Sequence, residues 1–304
     1  MVNFMGAKKE ITAYFKNYRY AEDFGKEEDG CALLAAKQAY EVTGEETCFF
    51  FMKKYYDAFL TEHGELQNNA ADFTAEWVNG SRCLFFLYQE TGEEKYRLAA
   101  ENIMEELRGY PRCECGNFVY RKECLKKVSV DALYMLMPFY MEYETVYGKK
   151  EKYGDIITQF ENARKRLYDE DRGLCSPVWD EDEKGRREGD GNKFLGTAKF
   201  LTALIDTMEC MSIEIYEQYR KLQDMFKTIL RGALDCSEEI SGESGALIGY
   251  CILKACRMGI LLKEKYVDTG MEIVEKLAAE QPEMTNAFIM AYAQYLLTKR
   301  EAEA

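Results

Sequence analysis

Carboxylates and aromatic rings recur where the apolar helical segments of this chain begin. Asp29, Asp72, Glu76, Asp131, Asp190 and Glu243 stand at such starts, and Phe73, Trp77, Phe118, Tyr120, Trp179 and Phe194 lie in or beside the same stretches. Carboxylates that accept hydrogen bonds from hydroxyls, set among flat apolar rings, are the equipment of a carbohydrate cleft, and a carboxyl group is also a competent proton donor. An acid at a helix N-terminus is equally favoured as a cap and by the helix dipole, so Asp29, Asp190 and Glu243 taken singly read as structural. Asp131 reads differently. It opens an apolar helix between Val130 and Ala132 with no other acid nearby, a setting expected to raise a carboxyl pKa and to suit general acid–base work.

The elements that must carry these residues are legible in a repeated phrase. Tyr40-Glu-Val-Thr-Gly-Glu-Glu46 returns as Tyr88-Gln-Glu-Thr-Gly-Glu-Glu94 and, more loosely, as Tyr143-Glu-Thr-Val-Tyr-Gly-Lys149. Its Gly closes one helix in the left-handed conformation and its acids open the next, so each copy predicts a helix–turn–helix unit. Helices that are apolar nearly all round, and so buried among other helices, are predicted to start near Gly30, Glu76, Val130, Phe194, Glu243 and Thr285. Charge-rich amphipathic helices fall between them, at about residues 8–18, 46–62, 93–108, 150–167, 213–233 and 264–280. Alternation of inner and outer helices predicts an all-α fold, an (α/α)6 barrel, with residues 1–304 as a single domain. The uneven unit lengths disfavour a superhelical solenoid, whose period is nearly constant. The additional length lies before inner helices, in segments 63–75, 110–129, 169–193 and 235–242, so the long loops are expected on one face, where function usually resides.

Composition narrows the function classes. A net charge of −14, spread over helix surfaces, disfavours DNA and RNA, which need a basic stripe. No run of about twenty uncharged apolar residues predicts a membrane span, and the first nine residues lack the apolar core of a signal peptide. A soluble cytoplasmic protein with reduced thiols is therefore expected for its 11 cysteines. Cys113-Glu-Cys115 with Cys124 offers three thiolates but no evident fourth ligand, so no metal is expected; the loop thiols are redox-sensitive or inert. Asp180-Glu-Asp-Glu183 reads as a solvated acidic loop rather than a calcium site. No nucleotide or cofactor fingerprint is present, and His63, the single histidine, excludes the usual Ser-His-Asp arrangement. The partner expected is an oligosaccharide, with no cofactor.

At the acidic residues the chain resembles the unsaturated uronyl hydrolases, especially the unsaturated rhamnogalacturonyl hydrolases of glycoside hydrolase family 105, and the related unsaturated glucuronyl hydrolases. Val130-Asp-Ala-Leu-Tyr-Met-Leu-Met-Pro-Phe139 is similar to that family's D-x-L-Y-M-x-x-P-F helix, which carries its catalytic aspartate. Trp77-Val-Asn-Gly80 followed by Leu87-Tyr-Gln-Glu-Thr-Gly92 resembles its W-x-N-G helix and turn. Gly173-Leu and Trp179-Asp180 resemble the ends of its G-L-x-x-H-x-W-D loop, and Ala203-Leu-Ile-Asp-Thr-Met-Glu209 resembles a later helix. The resemblance implies a six-hairpin enzyme that hydrates the double bond of an unsaturated uronic acid on a lyase-generated pectin fragment. It implies Asp131 as acid and base. With that role, Asp72 or Glu76 is expected as a second carboxylate of the pocket, and Trp77, Asn79, Trp179 and Lys193 are expected in contact with sugar.

The departures fall on the pocket. The family's loop histidine is replaced by Pro177, and its R-G-N-G-W segment aligns with Leu195 to Lys199, so the arginine and tryptophan positions hold Leu195 and Lys199. Lys193, Arg186 or Arg187 are the loop cations that could grip a uronate instead. Two other readings stay open: a non-catalytic six-hairpin protein that binds a glycan or protein, and another carbohydrate activity on the same toroid. A sugar epimerase is disfavoured by the single histidine.

Overall fold

The computed structural model describes residues 4–67, 73–182, 187–188, 193–236, 240–280 and 284–303, with side chains described from Lys8 onward and not at 187–188. Helices alternate between an outer and an inner layer. The outer helices are α1 (Phe4–Asn17), α3 (Glu46–Phe59), α6 (Glu94–Arg108), α8 (Tyr153–Leu167), α10 (Tyr216–Asp235) and α12 (Lys263–Glu280). The inner helices are α2 (Glu27–Thr43), α7 (Val130–Val146), α9 (Lys193–Cys210), α11 (Gly242–Arg257) and α13 (Asn286–Glu303), with α4 (Ala75–Gly80) and α5 (Leu84–Thr91) sharing one inner position. Each inner helix packs on the next, α2 on α4, α4 on α7, α7 on α9, α9 on α11 and α11 on α13, and α13 returns to α2. That closure makes the (α/α)6 barrel expected from the sequence.

The repeated phrase folds as its residues dictate. Gly44 and Gly92 take φ of 65° and 70°, and each N–H donates to the carbonyl of Tyr40 or Tyr88, ending the inner helix where a Cβ would be strained. The third copy behaves otherwise. A Cβ on Gly148 would meet the Glu144 carboxyl at 2.4 Å, and the left-handed turn falls on Lys149 and Lys150 at φ 55° and 67°. Two inner starts also differ from expectation: α2 begins at Glu27, and the second inner position is broken between Gly80 and Leu84. There the Ser81 hydroxyl bonds back to the Trp77 carbonyl at 2.8 Å, and Gly80 lies against Gly25.

The long loops join outer to inner helices and gather at the N-terminal ends of the inner ring, here called the mouth. Two of them carry short strands that periodicity did not foresee. β1 (Lys127–Ser129), β4 (Val178–Asp180) and β5 (Arg187–Glu188) form an antiparallel sheet in the order β1-β4-β5, while β2 (Tyr168–Asp169) pairs with β3 (Leu174–Cys175). Within the sheet Trp179 pairs with Val128 and Arg187.

Towards the opposite end the ring encloses charges. Asp206 of α9 receives Arg82 at 2.6 Å and Lys254 of α11 at 2.7 Å, and the Tyr250 hydroxyl donates to it at 2.7 Å. Lys254 also meets Glu209 at 2.6 Å, and Glu209 meets Arg257 at 2.9 Å. Burial alone would raise the Asp206 carboxyl, but Lys254 and Arg82 reverse this and lower it to about 2. Its stabilising charge is therefore present above its ordinary value of 3.8 and is lost as pH falls towards 2. Asp206→Ala leaves Arg82 buried without its counter-charge and is expected to cost about 3–5 kcal/mol in denaturant unfolding at pH 7; a cost under about 1 kcal/mol would show the network to be dispensable.

Glu142 of α7 faces the same interior beside Lys37 and Cys210, in a cavity of about 40 Å³. Desolvation pushes its carboxyl up to about 7, only partly offset by Lys37 and Arg82. The sign is opposite to that of Asp206. The fold prefers protonated Glu142, so this contribution is complete below the ordinary 4.5 and is lost as pH rises through 7. Glu142→Gln is expected to raise stability at pH 8 by roughly 1–3 kcal/mol and to change it little at pH 4.5, as read from melting curves at the two pH values.

Candidate active site

The N-terminal two turns of three inner helices bring three charged side chains together at the mouth. Ser129 caps α7, its hydroxyl accepting the Asp131 N–H at 3.1 Å, which fixes Asp131 in the first turn. Its carboxylate faces α9, where Lys199 donates to it at 2.8 Å. Lys199 also donates to Glu27, the first residue of α2, at 3.0 Å. One ammonium thus joins two carboxylates from two other helices. Burial works against the charge on Lys199, but Asp131 and Glu27 outweigh it and raise the ammonium above its usual range.

This arrangement corrects the expectation that Asp131 stands in apolar surroundings without another acid. Barrel closure brings α2 and α9 to the same axis, so Glu27, distant in sequence, reaches the same cation. Beneath the triad, the ring of Tyr134 lies 5.9 Å from the Lys199 ammonium, and its hydroxyl is 3.6 Å from the Cys31 thiol. A cavity of about 390 Å³ opens beside it, lined by Glu27, Glu28, Lys199, Glu243, Tyr134 and residues of α11 and α13. Lys199 is the one cation among the described residues that line this cavity.

The structure separates the other sequence candidates. Glu76 is at the mouth, accepting the Tyr120 hydroxyl at 2.9 Å with Arg121 at 3.4 Å. Burial and the Glu76 carboxylate push the Tyr120 phenol up to about 12. Asp29 is buried and capped, accepting from Tyr18 and from the Ala21 N–H at 3.1 and 2.9 Å. Asp72 and Asp190 lie outside the described residues, as does Arg186, and the Arg187 side chain is likewise not described.

Three expected sugar contacts need correction. Trp77 is a wall residue: it packs edge-on against Phe24 and Phe73, with Gly25 at φ 76° pressed against its backbone. The cavity that Trp77 does line, of about 370 Å³, lies between the loop after α3 (Leu60, Gly64 to Leu66) and α6 rather than beside Asp131. Asn79 is 1% exposed and wedged over Gly30, where a Cβ would meet its Nδ2 at 2.4 Å. Lys193 is buried against Asp169 at 3.5 Å, so the cation at the acid is Lys199. Trp179 is half-buried, its ring 5.2 Å from the Arg166 guanidinium of outer helix α8. Pro177 holds the sheet to the helix start, its carbonyl accepting the Val130 N–H at 2.9 Å. His63 is exposed in the α3–α4 loop. Among the described residues no group of three His, Cys, Asp or Glu side chains is placed to hold a metal ion, and no helix is long and apolar enough to cross a membrane.

A closed ring of hairpins with carboxylates around one mouth defines the six-hairpin class of glycosidase folds. The sequence pattern of Glycosyl Hydrolase Family 88 matches residues 7–289, and the chain belongs to that family of glycoside hydrolases. Its fold is similar to that of a family 105 glycoside hydrolase of C. acetobutylicum ATCC 824, at 20% identity and TM-score 0.82, covering 95% of this chain and 98% of that one. A possible family 105 member from Klebsiella pneumoniae subsp. pneumoniae MGH 78578 matches at 15% identity and TM-score 0.80, covering 98% and 93%. An unsaturated glucuronyl hydrolase specific for heparin matches at 13% identity and TM-score 0.73, covering 98% and 95%. At these identities the likeness carries the fold alone.

Placement in the wall makes Trp77 a stability residue. Trp77→Ala is expected to cost roughly 3–5 kcal/mol of folding free energy. Near-native unfolding together with weakened oligosaccharide binding would instead return Trp77 to the cleft.

Proposed function

We propose that the protein hydrates the double bond of an unsaturated uronyl residue at the non-reducing end of an oligosaccharide, with Asp131 as acid and base. The observation that carries this reading is the Asp131–Lys199–Glu27 triad: a carboxyl at an open mouth, a second carboxylate, and a cation between them. Asp131 gives its proton to one carbon of the enol-ether double bond. Water, relieved of a proton by the same carboxylate, adds to the neighbouring carbon. The resulting hemiketal opens and releases the rest of the sugar chain. No nucleophilic pair of the ordinary glycosidase kind is required.

Lys199 takes the part that an arginine would play in gripping the substrate's carboxylate. The resting mouth already sets two carboxylates on one ammonium. A third, brought by the substrate, adds negative charge that uptake of one proton relieves. That proton, placed on Asp131, is the one that hydration consumes. Glu76 and Tyr120 supply further hydrogen-bonding groups on the α4 side of the mouth.

Pro177 and Leu195, standing where the resembled family has histidine and arginine, favour a second reading: a mouth that binds a glycan without hydrating it. Loss of the ultraviolet absorbance of the substrate double bond separates the two. With unsaturated galacturonyl-rhamnose and unsaturated glucuronyl disaccharides, the parent is expected to bleach the absorbance and Asp131→Asn to do so at least about 100-fold more slowly. Lys199→Met should raise KM about tenfold or more, the loss of a charge-assisted contact. No bleaching by the folded parent with any such sugar would overturn the hydration reading.

A further inference from the structure

The loop between α6 and β1 carries three thiols that the mouth does not use, and two of them, Cys113 and Cys115, share one tight turn. Arg112 and Phe118 form an antiparallel bridge. Within it Gly116 donates to the Cys113 carbonyl and Cys113 to the Asn117 carbonyl, both at 2.9 Å. Gly116 takes φ of 89°, and nothing occupies the space where its Cβ would point, so the turn is open on that side. The Cys113 and Cys115 sulfurs lie 3.0 Å apart, Cys115 half-buried and Cys113 buried behind it.

Helix α8 holds this turn from behind. Asn162 donates to the Cys115 carbonyl at 2.7 Å, Gln159 to the Gly116 carbonyl at 2.9 Å, and Asn117 to the Gln159 carbonyl at 2.8 Å. Arg112 grips Asp155 with both terminal nitrogens, at 2.7 and 2.6 Å. The two sulfurs therefore meet on an anchored backbone, and joining them orders little additional chain. The pair is also unequal. The Cys113 thiol hydrogen-bonds to Cys115, and with the nearby Arg166 charge this lowers the Cys115 thiol to about 6. The same bond, together with burial, pushes Cys113 up.

We propose that Cys113 and Cys115 form a reversible dithiol–disulfide site that exchanges with low-molecular-weight disulfides of the glutathione class. The Cys115 thiolate attacks one sulfur of the small disulfide, forming a mixed disulfide and releasing one small thiolate. That thiolate takes the proton of Cys113, whose sulfur attacks Cys115 and expels the second small thiolate. One small disulfide is thus reduced to two thiol equivalents, and two cysteines are oxidised to one protein disulfide. The site belongs to the segment that walls the mouth, since the same loop carries Tyr120 to Glu76.

Cys124, half-buried in the same loop, is the internal control. The full chain is equilibrated at pH 7 in glutathione buffers of graded redox potential, quenched in acid, alkylated and read by peptide mass. The expected result is loss of two hydrogens between Cys113 and Cys115, reversible by reduced glutathione, with Cys124 still alkylatable. Cys113→Ser should trap glutathione on Cys115, whereas Cys115→Ser should trap little on Cys113. Cys115 should be alkylated about two- to fivefold faster than an ordinary thiol at pH 7, a high thiolate fraction partly offset by lower nucleophilicity. Retention of both thiols in fully oxidised glutathione would overturn the proposal, as would pairing of Cys115 with any cysteine other than Cys113. The parent measurement does not depend on how either variant folds.

Discussion

The barrel depends on what fills its axis. Six helical positions arranged in a ring leave a central column that side chains from every wall must share, and here much of that column is ionic. Arg82, Asp206, Lys254, Glu209 and Arg257 form a continuous chain of contacts at 2.6 to 2.9 Å. Arg257 continues it to Gln294 of α13 at 3.1 Å, and Gln294 donates to Gln38 of α2 at 2.7 Å. The chain thus runs from the α4–α5 junction through α9 and α11 to the pair of helices that closes the ring. A buried ion pair is a weak source of net stability, because desolvation offsets most of its attraction. Its value here is register. Each charge has a partner only when the helices stand in this order and at this height.

That column also supports the mouth. Tyr134 of α7 has the Arg82 guanidinium 5.8 Å from its ring and the Lys199 ammonium 5.9 Å from it. Burial, with the Cys31 thiol nearby, pushes its phenol well up, so it stays neutral between two cations. One aromatic side chain therefore separates the ionic column from the Asp131–Lys199–Glu27 triad. The acid is held laterally by its salt bridge, and the ammonium that holds it lies over a packed ring. A site so supported on helices needs little help from the long loops to keep its geometry.

The fold was legible because its determinants are local. A Gly that ends one helix and acids that open the next need no tertiary context, and helices apolar all round declare that they are inner. The position of Asp131 was legible for the same reason, at the start of such a helix, though the charges of Lys199 and Glu27 around it were not. Trp77 and Asn79 misled because a mouth residue and a wall residue share one short helix, and only the approach of Gly25 and Gly30 decides which way each faces. Glu27 was missed because α2 starts earlier than its apolar pattern, in the acidic run Glu27-Glu28-Asp29. Lys199 was visible as a departure from a resembled motif, but its two partners lie 68 and 172 residues away. Asp206 carried a usable signal: an acid on the buried face of an apolar helix must find cations.

The position of Lys199 is itself informative. A cation in an early turn of a helix opposes the helix dipole, which favours anions there. In α9 the first turn holds no acidic residue to compensate, so the ammonium is held by the carboxylates of Asp131 and Glu27 across the mouth. The inner helices meanwhile all point their N-termini to this face, and together they favour negative charge. An anionic ligand that reaches the triad therefore meets helix N-termini and an ammonium at once. The existing carboxylates oppose it until one gains a proton. On the proposed hydration reading, such a mouth suits a ligand that brings an anion and profits from a proton, the two properties that an unsaturated uronate combines in adjacent atoms.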